Sequence, residues 1–212
     1  MVNKSSLFLI NKDLTTLPLP ELAFVDTNVF LEIYLNRRFK NDWLEFFVEG
    51  VSRGTEFIYT HHSLREMRNV LNVQVHTKRA EELNIKPYKK TPPWKVLEND
   101  KRYNFSGEVS AEVSKVKIYL DSAGFTFKQV PSTGEMFELE SQYASKYDLG
   151  PGDAAIAAEM DVLGVNSICS NDAGFFGTDD FNVYSPTDKA WKVSRSRQGA
   201  LKPFRSMLPQ EK

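Results

Sequence analysis

Cysteine is almost missing from this chain. Cys169 stands alone, which excludes an internal disulfide and any cysteine-ligated zinc cluster, and the apolar run around it predicts a buried thiol in a reducing, cytoplasmic setting. No apolar run is long enough to span a bilayer, and the first residues lack the basic, apolar and small-residue order of a secretion signal, so a soluble protein with no membrane partner is expected. Neither sign of charge is in excess. Lys and Arg number 27, Asp and Glu 28, for a formal net charge of -1, with pI ≈ 6.3. The chain as a whole therefore exerts no pull on polyanions, and nucleic acid would have to be held by local basic patches or bound cations. Also lacking are a Gly-x-Ser-x-Gly elbow and a phosphate-binding glycine loop, which argues against acyl transfer and nucleotide hydrolysis.

What is present is organised around Leu22 to Leu31. Leu22 to Val25 is a short apolar run after Pro18 and Pro20, the pattern of a buried strand, and Asp26 stands at its carboxyl end. Thr27 or Asn28 is expected to cap a helix with Val29, Phe30, Ile33 and Tyr34 on its inner face. Asp26 could itself be only that cap. Open α/β sheets, however, bind ligands beyond the carboxyl ends of their strands, where this acid would lie.

The remaining chain alternates helix and strand. Leu7 to Ile10 reads as an added edge strand or a partner-binding arm. Asp42 to Val51 is helical by spacing, and Thr55 to Tyr59 is an aromatic strand leading to a helix start at Thr60 or Ser63. Ser63 and Glu66 have the spacing of a capping box, which would occupy Glu66 at its own helix end. A carboxylate early in a helix after the second strand also projects over the edge that Asp26 reaches. His61 and His62 are adjacent and seldom share one ion, so they read as turn residues. Between about 78 and 105, Lys and Arg are interleaved with Tyr88, Trp94, Tyr103 and three prolines, as either a solvated insertion or a strand-binding surface. Further helices are expected from Ser106 and from Glu135 to Tyr147, with a strand from Phe125 to Val130 between them.

Two later stretches deliver acids again. Gly150-Pro151-Gly152 forces a turn and Asp153 opens a helix whose alanines, Ala154, Ala157 and Ala158, suit close packing on a sheet. Val165 to Ser170 is a strand that ends on Asn171-Asp172, and Asn182 to Tyr184 is a last strand. Asp26, Glu66, Asp153 and Asp172 thus stand at strand ends or helix starts of one alternating fold. Clustered carboxylates repel, so divalent cations would stabilise them, and oxygen ligands select Mg²⁺ or Mn²⁺.

The Asp26 run, Glu66, Gly152-Asp153-Ala154-Ala155-Ile156-Ala157-Ala158 and Ser170-Asn171-Asp172 together resemble the PIN-domain nucleases, including the VapC-like toxins. The resemblance covers roughly Leu22 to Tyr184. It implies a three-layer α/β/α sandwich around a mostly parallel sheet and a metal-dependent endoribonuclease, often homodimeric. Residues 1–20 would be an extension, 21–185 the nuclease domain with its insertion, and 186–212 a basic tail. By the resemblance, Asp26, Glu66, Asp153 and Asp172 are catalytic metal ligands for Mg²⁺ or Mn²⁺, and Thr27, Asn28, Ser170 and Asn171 orient the site or touch substrate, with Asp148 in reserve. RNA and an antitoxin protein are the implied partners, although the length also suits an RNA-processing nuclease. Two other readings stay open. One is a catalytically silent RNA-binding or scaffold module. The other is a receiver-like phosphoacceptor, which needs a late lysine that the sequence does not place.

Overall fold

In the computed structural model the described residues are 6–172, 174–187 and 202–203. Residues 1–5 and most of the expected 186–212 tail lie outside them. The chain divides into two compact units, one of residues 1–61 and 124–212 and the other of residues 62–123.

The first unit is built on a sheet of β1 (Ser6–Leu9), β2 (Leu22–Val25), β3 (Glu56–Tyr59), β4 (Thr126–Phe127), β5 (Ser167–Cys169), β6 (Asn182–Ser185) and β7 (Lys202–Pro203). Their order is β4-β3-β2-β5-β6-β1-β7, and every neighbouring pair is parallel. All seven carboxyl ends therefore share one edge. From β2 the chain steps outward through β3 to β4, then returns to the other side of β2 with β5 and continues to β6. The reversal falls between β2 and β5, where a parallel α/β sheet leaves a crevice at its carboxyl edge.

Side-chain alternation explains the layers. On β3, Phe57 and Tyr59 face one way and Ile58 the other. Phe57 meets Phe46 and Phe47 of α2 (Lys40–Ser52), with ring centroids 4.7 Å apart for Phe47 and Phe57. Tyr59 lies edge-on to Phe30 of α1 (Thr27–Tyr34). On the opposite face, Phe24, Ile58 and Ile168 join a buried cluster with Ile156, Ala157 and Met160. These last three belong to the final helix before β5. Gly50 of α2 permits the first of these contacts, because a Cβ there would stand 2.5 Å from Phe57 Cζ. This is the α/β sandwich that the alternating sequence implies.

The second unit holds most of α3 (His61–Glu82), together with α4 (Pro93–Glu98) and α5 (Ser106–Ser122). Arg79 of α3 is paired with Glu82 and with Glu108 of α5, and Asn72 donates to Glu98 of α4. The chain then re-enters the first unit and forms α6 (Gly134–Tyr147) and α7 (Pro151–Val162), which pack side by side. The small residues Ala154, Ala155, Ala157 and Ala158 are all buried, so α7 lies close on the sheet as its composition requires.

Of the two readings left open for the start of α1, Asp26 rather than Thr27 or Asn28 is the N-cap. Three local expectations are corrected. α3 starts at His61, so both histidines are helical and Ser63 is fully buried inside the first turn, where it cannot act as an N-cap. The run Leu7 to Ile10 is no edge strand, since β1 is flanked by β6 and β7. The strand expected over Phe125 to Val130 is cut to Thr126–Phe127, although Lys128 N still donates to Tyr59 O at 2.8 Å.

Candidate active site

Asp26 and Asp172 reach the same crevice because β2 and β5 are neighbours and end together. Past the last paired residues, Asp26 N donates to Cys169 O at 3.0 Å, which holds the two strand exits side by side. Asp26 is only 4 % exposed. Its Oδ1 accepts from Asn28 N at 3.4 Å, which is the cap of α1. Its Oδ2 accepts from Asn28 Nδ2 at 2.6 Å and from Ser170 Oγ at 2.6 Å. The carboxylate is thus both a helix cap and a crevice acid, two roles that are compatible because they fall on different oxygens.

Ser170 is the centre of this network. Its hydroxyl donates to Asp26 and accepts from Asp172 N at 2.9 Å and from Asn28 Nδ2 at 3.4 Å. A hydroxyl has one proton and two lone pairs, so its capacity is used up, and the residue is completely buried. That is the geometry of an orienting group, not of a substrate contact. Asn28 also accepts from Asn171 N through its Oδ1 at 3.2 Å, so the turn after β5 is tied twice to the start of α1. Asn171 Oδ1 is buried and has no hydrogen-bond partner among the described residues. Thr27 is buried as the first residue of α1.

Asp153 enters from α7. Gly150 caps this helix, Pro151 supplies a first residue that needs no N–H partner, and Asp153 sits in the first turn, where the helix dipole favours an acid. Gly174 brings it to the β5 turn. A Cβ at Gly174 would stand 2.8 Å from Asp153 Oδ2 and 3.4 Å from Asp172 Oδ1, and Gly174 N donates to Asp172 Oδ1 at 2.8 Å. Asp153 and Asp172 therefore flank one small notch that only glycine leaves open. The sequence reading missed Gly174, and the only signal for it was a glycine two residues after the last acid.

Glu66 belongs to the second unit and is described there. On α3 its Oε1 is 3.4 Å from His62 Nε2, one turn back, and Arg65 Nη2 faces His62 Nδ1 at 3.1 Å. Asp148 is exposed and is the left-handed C-cap of α6, with φ 54°. A second missed pair is Thr60 Oγ1, which donates to Glu159 Oε2 at 2.5 Å and ties the end of β3 to α7.

The donor chemistry fits a hard divalent cation. Asp26, Asp153, Asp172 and the amide oxygen of Asn171 offer oxygen only, and the Gly174 notch leaves two carboxylates exposed to one small volume. Among the described residues no three His, Cys, Asp or Glu side chains close on a single point as a metal cage. An ion held by one or two carboxylates and completed by water is the arrangement that suits Mg²⁺, which gives up its hydration reluctantly. Beneath the crevice, burial and then the negative charge of Asp26 push the Cys169 thiol well above its ordinary value, so it stays protonated and inert.

The PIN domain family model matches residues 23–180. Among solved structures, the chain is similar to one described as the crystal structure of VapBC2 from Rickettsia felis bound to a DNA fragment from their promoter. The identity is 12 %, the match covers 77 % of this chain and 98 % of that one, and the TM-score is 0.45. No curated protein matches.

Proposed function

The chain belongs to the PIN-domain family, whose members are generally nucleases that use divalent metal ions, and on that premise we propose that it is a Mg²⁺- or Mn²⁺-dependent endoribonuclease cutting single-stranded or structured RNA. The observation that carries this reading is the Ser170 hydroxyl, which fixes Asp26 and the Asp172 turn to one another at the sheet reversal. A nuclease needs fixed carboxylates at such an edge, whereas a scaffold does not.

Asp26, Asp153 and Asp172 are the residues of the first unit that would hold the ion. The chemistry a bound ion supplies is activation of water and neutralisation of charge on the phosphodiester. Asn28 and Ser170 keep the Asp26 carboxylate in one orientation, so no rearrangement is required when substrate arrives. Asn171 Oδ1 is a buried acceptor beside these residues with no partner among the described residues. An antitoxin protein and a second copy of the chain are the partners proposed with this activity.

The test is cleavage of labelled single-stranded RNA with Mg²⁺ or Mn²⁺, beside EDTA and beside Asp26→Asn and Asp153→Asn. Cleavage is expected in the wild type with metal alone, and neither variant should cut. Both variants should remain folded, because each removes one of several like charges. Wild-type protein that binds RNA but cuts nothing with any divalent ion would be the silent module instead.

A further inference from the structure

We propose that the turn around Lys89 and Lys90 in the second unit is a docking surface for single-stranded nucleic acid, with lysines for its phosphates and Tyr88 for a base. The choice of polymer rests on the nuclease reading above. The surface itself rests on separate observations. In a chain of net charge -1, the 15 residues 83–97 contain Lys86, Lys89, Lys90 and Lys95 and no acid. Lys95 is paired with Glu98, whereas Lys86, Lys89 and Lys90 are exposed and form no ion pair among the described residues. An isolated bridge closes the turn, with Tyr88 N donating to Thr91 O at 3.1 Å and Thr91 N to Tyr88 O at 2.9 Å. Two lysines are thereby held at its tip.

Backbone strain marks the same place. Four described residues other than glycine have positive φ, and three of them are Asn36, Asn84 and Asp148, types that tolerate the left-handed region. Lys89, with φ 55°, is the exception. The two-residue connection between Tyr88 and Thr91 calls for positive φ, and a lysine stands there where glycine or asparagine is usual, a cost of the kind that functional segments carry. Pro87, Pro92 and Pro93 stiffen both flanks, which lowers the entropy lost on binding.

Aromatics complete the pattern. Tyr88 is 63 % exposed and carries Lys89 Nζ 5.3 Å from its ring centroid. The adjacent pairing recurs at Trp94 with Lys95, 5.3 Å, and at Tyr103 with Arg102, 5.7 Å, where Lys95 and Arg102 are also paired with Glu98 and Asp100, so Lys89 is the cation left for a phosphate. A cation beside a ring is the unit that single-strand binders repeat, phosphate to the cation and base to the ring. An acidic protein would use the lysines and have no use for an exposed, base-sized ring.

The test is fluorescence anisotropy of the full chain with labelled oligouridylate of about 12 nucleotides, a length within the usual single-strand site range. EDTA is included so that nothing is cut. The variants are the triple Lys86→Glu, Lys89→Glu, Lys90→Glu, the matching triple to Gln, and Tyr88→Ala, and melting confirms that each is folded. Reversal should lower affinity at least tenfold and reduce the slope of log affinity against log salt by about 2, as expected when three contacts each contribute about 0.7. Neutralisation should fall between, and Tyr88→Ala should cost about tenfold. Unchanged affinity in the reversed variant would overturn the proposal. So would equal loss of polyglutamate binding with no effect of Tyr88→Ala, which would make the surface a docking site for acidic protein. A wild type that binds in EDTA and fails to cut with metal would sink the catalytic reading and leave this one standing.

Discussion

Ser170 Oγ donates to Asp26 Oδ2 at 2.6 Å although 144 positions separate the two residues along the chain. The same oxygen receives Asp172 N at 2.9 Å, so a single hydroxyl sets the spacing of two acids that arrive on different strands. Removing it tests whether that spacing matters.

Ser170→Ala should cost about 1–3 kcal/mol of stability, because Asp26 Oδ2 loses a partner in a buried place and Asp172 N loses its acceptor. Metal affinity should fall roughly 10–100-fold, the usual effect of removing a group that orients a ligand. Urea unfolding reads the first and Mn²⁺ titration the second. Unaltered Mn²⁺ affinity in a stably folded variant would remove Ser170 from the site's support.

Gly174→Ala places a methyl 2.8 Å from Asp153 Oδ2, against a carboxylate that can yield only by turning away. Metal binding and cleavage should drop together, with a stability cost of about 1–3 kcal/mol for the overpacking. Gly134→Ala is the control, since a Cβ there meets nothing within 4 Å. If the two variants titrate Mn²⁺ alike, the notch beside Asp153 has no part in the site.

Alkaline pH should destabilise the fold. Burial, with a smaller contribution from Asp26, raises the Cys169 thiol above its ordinary 9.0, and burial raises the Tyr184 phenol above 10.0. A group whose pKa is higher folded than unfolded contributes stability that is complete below the unfolded value. That stability is lost as pH climbs toward the folded value. The free energy of unfolding should therefore be flat to about pH 8.5 and fall from pH 9 upward, as urea titrations across that range would show. Cys169 should resist thiol reagents until the protein unfolds. Rapid labelling of native protein at pH 8 would contradict the burial argument.

Much of this site could be read from composition and spacing because strands that end on acids leave a trace in the sequence. The apolar runs before Asp26 and Asp172 predicted both strand exits, and the alanines after Asp153 predicted a helix pressed on the sheet. The capping box at Ser63 misleads because the helix begins at His61, three residues before that motif would start it, as the Thr60 alternative implies, and the serine is buried. Nothing near Leu7 announces the pairing of β1 with residues 202–203, a contact made almost two hundred positions away, so its sequence suggests no more than an edge strand or a partner-binding arm. Gly174 was invisible for a similar reason, since its importance lies in what a missing methyl spares on another helix.

Parallel β2 and β5 also govern when the crevice can form. A ribosome that has finished Asp26 must add all the residues through Asp172 before the second half of the crevice exists, and contacts of such long range form late in folding. On a growing polypeptide the two halves of the crevice therefore cannot meet until β5 has been added. On the nuclease reading proposed above, the strand order itself keeps the carboxyl edge unassembled until β5 has been made.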